Sequence, residues 1–362
     1  MIEGKLISVG NHKLYHSIMG EDKGLPPVVL EHGCGSSALF WSLVAPEVAK
    51  VTQVIVYDRA GYGWSEPGPF PRTNEQCVTE LYELLQQSGM KSPYLLVGHS
   101  YGGLNVRLFT GKYPGLVAGV VLVDSMHEDE VTARFPEEHV KGQILAARFY
   151  RALNLLSRTG LLKVLSALRS FPGFSATIKP FSKQTQELLW RLSFQKKTIA
   201  AMHSEFSNVQ AGYEQVRELM QTDIPLTVIK SEIVNDFYPG TSEDTKRTIR
   251  EKLWEVANEL NRIISWGKFF WKKIAGVFIY SMRAIGAGEF TLRSEHCVNG
   301  LLQVYLYYRM MMYFEGAFAD SQQKPLPPFR QKGPVQKNVV APAGRIRVLC
   351  FAYPFGCRSE SA

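Results

Sequence analysis

The stretch Tyr94-Leu95-Leu96-Val97-Gly98-His99-Ser100-Tyr101-Gly102-Gly103 is a short apolar run that meets a Gly-x-Ser-x-Gly turn and passes straight into a helical pattern. A serine on so sharp a strand-to-helix turn sits in a strained conformation, and small residues two positions to either side let the backbones pass. Gly98 and Gly102 fill those slots. The hydroxyl then stands clear of the strand, and the backbone N–H of Tyr101 points into the same space, where it can hold a developing oxyanion. The chemistry this permits is attack of the Ser100 hydroxyl on a carbonyl. At its free pKa a hydroxyl is a poor nucleophile, so it needs a histidine base that is itself oriented by a carboxylate. The motif is common by chance. The flanking elements must decide between a reactive serine and a plain glycine turn.

Those elements read as alternating strands and helices. Lys5-Leu6-Ile7-Ser8-Val9 and Lys13-Leu14-Tyr15-His16-Ser17 flank a Gly10-Asn11 turn and predict a hairpin. Pro27–Glu31 predicts a buried strand that ends in His32-Gly33-Cys34-Gly35-Ser36-Ser37, a glycine loop able to fold back close to another backbone. Residues 39–51 show helical spacing of Trp41, Leu43, Val44 and Val48. Gln53–Tyr57 is a second buried strand, followed by Asp58-Arg59 beside two glycines, which we read as a loop pinned by charge-assisted hydrogen bonds. Thr73-Asn74-Glu75-Gln76 is a capping-box signature for a helix that Gly89 ends. After the serine turn, a helix over Leu104–Phe109 leads to the apolar strand Ala118–Val123, which ends in Asp124. This alternation predicts an α/β fold: a mostly parallel sheet with helices on both faces. In such sheets the ligand site lies beyond the carboxyl ends of the strands. His32, Asp58, Ser100 and Asp124 all fall at that edge.

Composition sets few further limits. The 362 residues are 45% apolar and 20% charged, ordinary for a globular chain, and the net charge of +8 does not by itself name a nucleic-acid partner. None is expected. The N-terminus shows no secretory pattern, and the five cysteines form neither a CxxC pair nor an even framework, so a reduced, cytoplasmic setting is expected. There is no dinucleotide-binding glycine fingerprint, no P-loop and no paired metal-ligand motif, so no cofactor is expected.

His32-Gly33-Cys34-Gly35-Ser36, Tyr57-Asp58-Arg59-Ala60-Gly61-Tyr62-Gly63, Gly98-His99-Ser100-Tyr101-Gly102-Gly103 and Val121-Leu122-Val123-Asp124-Ser125 together resemble the α/β-hydrolase superfamily, in its small-cap serine hydrolase, haloperoxidase-like and proline-iminopeptidase-like members. The resemblance covers residues 1–125 well, is loose through a cap and is partial from about 224 to 280. It implies an α/β-hydrolase fold with a helical cap, Ser100 as nucleophile, an oxyanion hole built from the N–H groups of Cys34 and Tyr101, and a small ester, thioester or lipid-like substrate. It also implies an acid followed by a histidine. Asp124 is the first candidate for the acid, with Glu232 and Asp236 as alternatives. The histidine slot of the family falls on Ala275-Gly276-Val277-Phe278, and valine accepts no proton. Only His296 follows it, in the context Arg293-Ser294-Glu295-His296-Cys297. The departure leaves a second expectation open: a hydrolase-fold chain that binds a ligand or partner without efficient catalysis.

The expected organisation is a hydrolase core over 1–125, a cap over 126–222, the rest of the core over 223–280 and a divergent basic tail over 281–362. In the cap, 143–171 is expected to be helical, with Lys141, Arg148, Arg151, Arg158, Lys163 and Arg169 on its polar face. A solvated basic face is the first reading and contact with an anionic membrane surface the second. The core returns with a strand at Ile224–Lys230 and a helix at 241–265, and Gly267-Lys268-Phe269-Phe270-Trp271 is expected as the last strand. Beyond it, six prolines and seven Lys or Arg between Ser321 and Ala362 predict disorder. That end reads as a divergent extension or as an out-of-frame one. No residue pattern specifies an oligomeric state.

Overall fold

A computed structural model describes residues 3–169, 171–219, 224–231 and 242–260, with short strand segments at Phe290–Thr291, Lys337–Ala341 and Gly344–Val348. Val277, Glu232, Asp236, His296 and the strand expected at 267–271 lie outside the described residues.

The apolar runs assemble into one sheet. β1 (Lys5–Val9) and β2 (His12–Met19) pair as the expected hairpin, turned at Gly10, whose φ of +53° suits glycine. β2 runs antiparallel to β4 (Val54–Tyr57). From there β3 (Val28–Glu31), β5 (Tyr94–His99), β6 (Val117–Val123) and β7 (Leu226–Ser231) continue in parallel. With β8 (Phe290–Thr291) antiparallel on β7, the order is β1-β2-β4-β3-β5-β6-β7-β8. Every residue of β3 and β4 is buried. A parallel sheet covered on both faces demands such uninterrupted apolar strands. Alternate residues divide between two core layers: Val29, Ile55, Leu96 and Leu122 on one face, Val28, Val54, Leu95 and Val121 on the other. β9 (Lys337–Ala341) and β10 (Gly344–Val348) form a separate antiparallel pair inside the stretch expected as a tail.

The helix expected over 39–51 is interrupted. A 3₁₀ turn at Ala38–Trp41 is followed by α1 (Ala45–Ala49), with Pro46 in its first turn. In a continuous helix the Pro46 ring would clash with the Ser42 carbonyl, whereas at a helix start its missing N–H has no cost. α2 (Asn74–Gln87) is capped by the Thr73 side chain, which accepts from the Gln76 N–H at 3.2 Å. Gln76 does not complete a reciprocal box; its side chain donates to Glu80 at 3.1 Å. α3 (Tyr101–Lys112) follows the serine turn. Among the described residues, a 3₁₀ turn at Glu128–Val131 and six α-helices then stand between β6 and β7: α4 (Glu137–Thr159), α5 (Leu161–Ala167), α6 (Pro172–Ile178), α7 (Lys183–Ser193), α8 (Lys196–Ser207) and α9 (Val209–Arg217). The single helical stretch expected over 143–171 is broken at Gly160, which takes the left-handed φ of +79° and ends α4. α10 (Glu243–Leu260) falls within the helix expected after β7.

One buried ion pair makes a pH prediction. Arg72 donates to both oxygens of Glu80 at 2.6 Å, and His12 Nε2 lies 3.3 Å from the same carboxylate. Burial would raise the Glu80 pKa, but His12 and Arg72 together hold it down to about 2. A carboxyl depressed from its ordinary 4.5 binds fewer protons when folded. Its stabilising contribution is therefore present above about pH 4.5 and lost as pH falls toward 2, a loss of about 3 kcal/mol in all. Urea midpoints between pH 5 and pH 2 should fall in the native chain, and Glu80→Gln should remove that part of the slope.

Candidate active site

The strand and helix that meet at residue 100 force an unusual backbone on it. Ser100 has φ +51° and ψ −122°, a conformation that costs of order 1–3 kcal/mol for a residue with a side chain. Its surroundings hold it there. The Ser100 N–H donates to the Val123 carbonyl at 3.2 Å, and its carbonyl accepts from Gly103 N–H at 2.9 Å and Met126 N–H at 3.2 Å. The two flanking glycines are required by close approach. A Cβ on Gly98 would lie 2.6 Å from the Gly102 carbonyl oxygen, and one on Gly102 would lie 2.6 Å from the His32 carbonyl oxygen. Ser100 is half-buried.

Asp124 stands beside it. In the β5–β6 register His99 is opposite Val123, so Ser100 and Asp124 leave neighbouring strands side by side. Asp124 also has a positive φ, +44°, and its N–H donates to the Ile229 carbonyl of β7 at 2.7 Å. The glycine loop after β3 passes directly against the serine: a Cβ on Gly33 would lie 3.2 Å from Ser100 Cβ and 2.9 Å from His99 Nδ1. Cys34 follows in that loop, and among the described residues its N–H meets no acceptor. Its sulfur lies 3.7 Å from Tyr62 Oη and 3.6 Å from the Met202 carbonyl oxygen, and burial pushes its thiol pKa up. Tyr101, at the start of α3, has a fully buried ring with the Arg59 guanidinium 5.4 Å from its centre.

Behind this edge lies a buried charge network that the sequence does not announce. Asp58 and Arg59, expected to pin one loop together, face different partners. The Asp58 carboxylate accepts the Ala38 N–H at 2.7 Å and the Trp64 N–H at 3.0 Å, and burial pushes its pKa up to about 6. Arg59 donates from Nε and Nη2 to the two oxygens of Glu205 on α8 at 2.8 and 2.9 Å. Its Nη1 donates to Glu31 at 2.7 Å and to the His32 carbonyl, and Nη2 reaches the Gly33 carbonyl at 3.1 Å. Tyr62 donates to Glu205 at 2.8 Å, and Asn105 to Glu31 at 2.8 Å. Arg59, Glu31 and Glu205 are all essentially inaccessible to water. Burial pushes Glu31 up despite the opposing pull of Arg59. The arrangement fixes the loop facing Ser100 and ties it to α8, which also places Met202 over Gly35. Its one trace in the sequence is Glu31, a carboxylate at the end of an otherwise apolar strand, which by itself names no partner.

The described histidines have other occupations. His32 Nδ1–H donates to the Gly33 carbonyl at 2.8 Å while Nε2 accepts the Arg59 N–H at 3.1 Å, which braces the loop. His99 packs edge-on to Trp41. His127 Nδ1 accepts the Asp129 N–H at 3.1 Å, His139 lies 3.7 Å from Glu130, and His203 lies 3.4 Å from Asn154. His12 faces Glu80, and His16 is buried within β2. Among the described residues no group of His, Cys, Asp or Glu is arranged to hold a metal ion.

Comparison with known proteins agrees with this fold. Residues 26–162 match the family model for the alpha/beta hydrolase fold. An AB hydrolase superfamily protein of Gibberella zeae is 27% identical over 231 residues, 62% of this chain and 69% of that protein. The Hormonema carpetanum protein named "Probable transporter efuK" is 27% identical over 239 residues, and an uncharacterized vacuolar membrane protein of Saccharomyces cerevisiae is 33% identical over 115. The matches span 64% and 31% of this chain but only 31% and 18% of those relatives. Among the described residues no helix is long and apolar enough to cross a membrane. Two solved structures share the fold: the epoxide hydrolase CorEH, with a TM-score of 0.52 at 20% identity over 62% of this chain and 81% of that one, and ALR0039 of Nostoc sp PCC 7120, with 0.53 at 17% identity over 69% and 87%. From the β4-β3-β5-β6-β7 parallel core to the strained serine after β5, the fold of this chain is the alpha/beta hydrolase fold.

Proposed function

We propose that the chain is a serine hydrolase that cleaves a carboxylic ester or thioester through an acyl-enzyme on Ser100. The observation that carries this reading is the backbone of Ser100: a φ of +51°, held by three hydrogen bonds and two sterically required glycines at the end of a central parallel strand, is the strained turn that presents a serine hydroxyl at the sheet edge. In the proposed mechanism the Ser100 oxygen attacks the carbonyl carbon and passes its proton to a histidine. The tetrahedral oxyanion rests on the Cys34 and Tyr101 N–H groups. Collapse expels the alcohol or thiol, which takes that proton back, and water repeats the cycle. Asp124 orients the histidine from the neighbouring strand. This reading takes His296 as the base, the one histidine that follows the family's histidine slot in the chain. Epoxide hydrolase and haloalkane dehalogenase chemistry on this fold uses an aspartate as nucleophile, and the residue at that position here is serine. The free thiols of Cys34 and Cys77 suit a reduced, cytoplasmic setting.

A second reading, a hydrolase fold that binds ligands without efficient turnover, draws on Val277 at the family's histidine slot. A fluorophosphonate probe separates the two. Rapid covalent labelling of the native chain, absent in Ser100→Ala, is expected; labelling no faster than in the mutant would leave the second reading standing.

A further inference from the structure

The exposed side of α4 and α5 combines features that water does not favour together. Of the ten large apolar side chains exposed among the described residues, seven lie between Ile144 and Leu168. On α4, Ile144 is 49% exposed, Leu145 56%, Phe149 50% and Leu155 55%. On α5 and just after it, Leu161, Val164 and Leu168 are equally open. With about 100° between successive residues, Arg151, Ile144, Leu155, Arg148, Leu145 and Phe149 follow one another around one half of the α4 cylinder. Buried Leu153 and His139 fall on the other half.

The charge of this region is mostly positive, although Lys141 pairs with Glu137 in the first turn of α4 and Arg169 with Glu187 on α7. From His139 to Gln186 the chain has eight Lys or Arg and no Asp or Glu. We propose that the α4–α5 face seats the chain on an anionic lipid bilayer surface. Exposed leucine, isoleucine and phenylalanine gain by entering the headgroup–acyl boundary, and the arginine stems beside them can extend their guanidinium groups back to lipid phosphates. Each basic residue near an anionic leaflet adds attraction that salt screens. A nucleic acid would satisfy the cations but leave seven large apolar side chains in water. A second copy of the same face would bring like charges together. No described helix is suited to span, so the chain would lie on the surface. The proposal does not depend on the Ser100 chemistry.

Flotation of the full chain with phosphatidylcholine vesicles, with and without phosphatidylserine, tests it. Two surface variants serve as arms, Leu145→Ser with Phe149→Ser, and Arg148→Glu with Arg151→Glu, each first shown to keep the native urea midpoint. The expected result is binding to phosphatidylserine vesicles at low salt, lost at high salt and weakened by either pair. From about fivefold per basic residue, the charge pair should cost about 25-fold or more. The proposal is overturned by absence of vesicle binding, which would result if the chain's own residues cover the face. It is equally overturned by binding that neither pair weakens, or by binding to RNA but not to vesicles.

Discussion

Glu205→Leu is expected to lower the free energy of unfolding by about 3–5 kcal/mol, the usual result of removing one partner from a buried charge pair. The loss follows from what remains behind. Among the described residues Arg59 Nε loses its acceptor, Nη2 keeps only the Gly33 carbonyl, and the Tyr62 hydroxyl loses the Glu205 carboxylate. None of these groups can turn to water, because Arg59 and Tyr62 are buried. Arg59→Met combined with Glu205→Leu should recover part of the loss, since it leaves no uncompensated guanidinium, but not all of it, because the buried Glu31 carboxylate then keeps only Tyr57 and Asn105 as donors. A positive coupling energy in this double-mutant cycle, read from urea unfolding, is the expected signature. Strictly additive losses would mean that the pair does not act as a unit. The same substitution should also slow fluorophosphonate labelling of Ser100, because Arg59 holds the His32 and Gly33 carbonyls of the loop against the serine. A chain that is destabilised but labels at the native rate would confine Arg59 to a structural role.

Why some of this was legible in the sequence and some was not comes down to range. The order of strands, the parallel core and the position of Ser100 are written in local patterns: unbroken apolar runs at β3, β4 and β5, and glycines two residues from the serine. The placement of Asp124 beside Ser100 followed from counting strands to the carboxyl edge. The break at Gly160 and the shortened α1 were present as a glycine and a proline that the apolar spacing around them outweighed. The Arg59–Glu205 pair joins residues 146 positions apart. Glu205 lies on a helix whose pattern is otherwise that of an ordinary buried stripe, so no spacing rule could join it to Arg59. The likeness to the alpha/beta hydrolase family supplied the expected positions of the acid and base, and it was this likeness that exposed Val277 as a departure.

His296→Ala is expected to slow acylation of Ser100 by about 10⁴-fold or more, and the Ser100→Ala/His296→Ala double variant should be no worse than Ser100→Ala alone. Nucleophile and base act as a unit, so once either is removed the other has nothing left to contribute; the residual rate comes from binding and the oxyanion donors. This non-additivity distinguishes a catalytic histidine from one that merely supports the fold. A structural role for His296 would show as lost stability, with labelling falling only in proportion to the unfolded fraction, and as a further loss on top of Ser100→Ala in urea unfolding. The Asp124→Asn variant completes the set. Acting from the strand next to Ser100, Asp124 would hold the imidazole in its productive tautomer, so its loss should slow labelling strongly without altering the urea midpoint by more than a fraction of the native stability. Native labelling rates in both His296→Ala and Asp124→Asn would remove these residues from the mechanism. With rapid labelling of the native chain, another group must then activate the serine at the end of β5; only with labelling as slow as in Ser100→Ala does the ligand-binding reading stand.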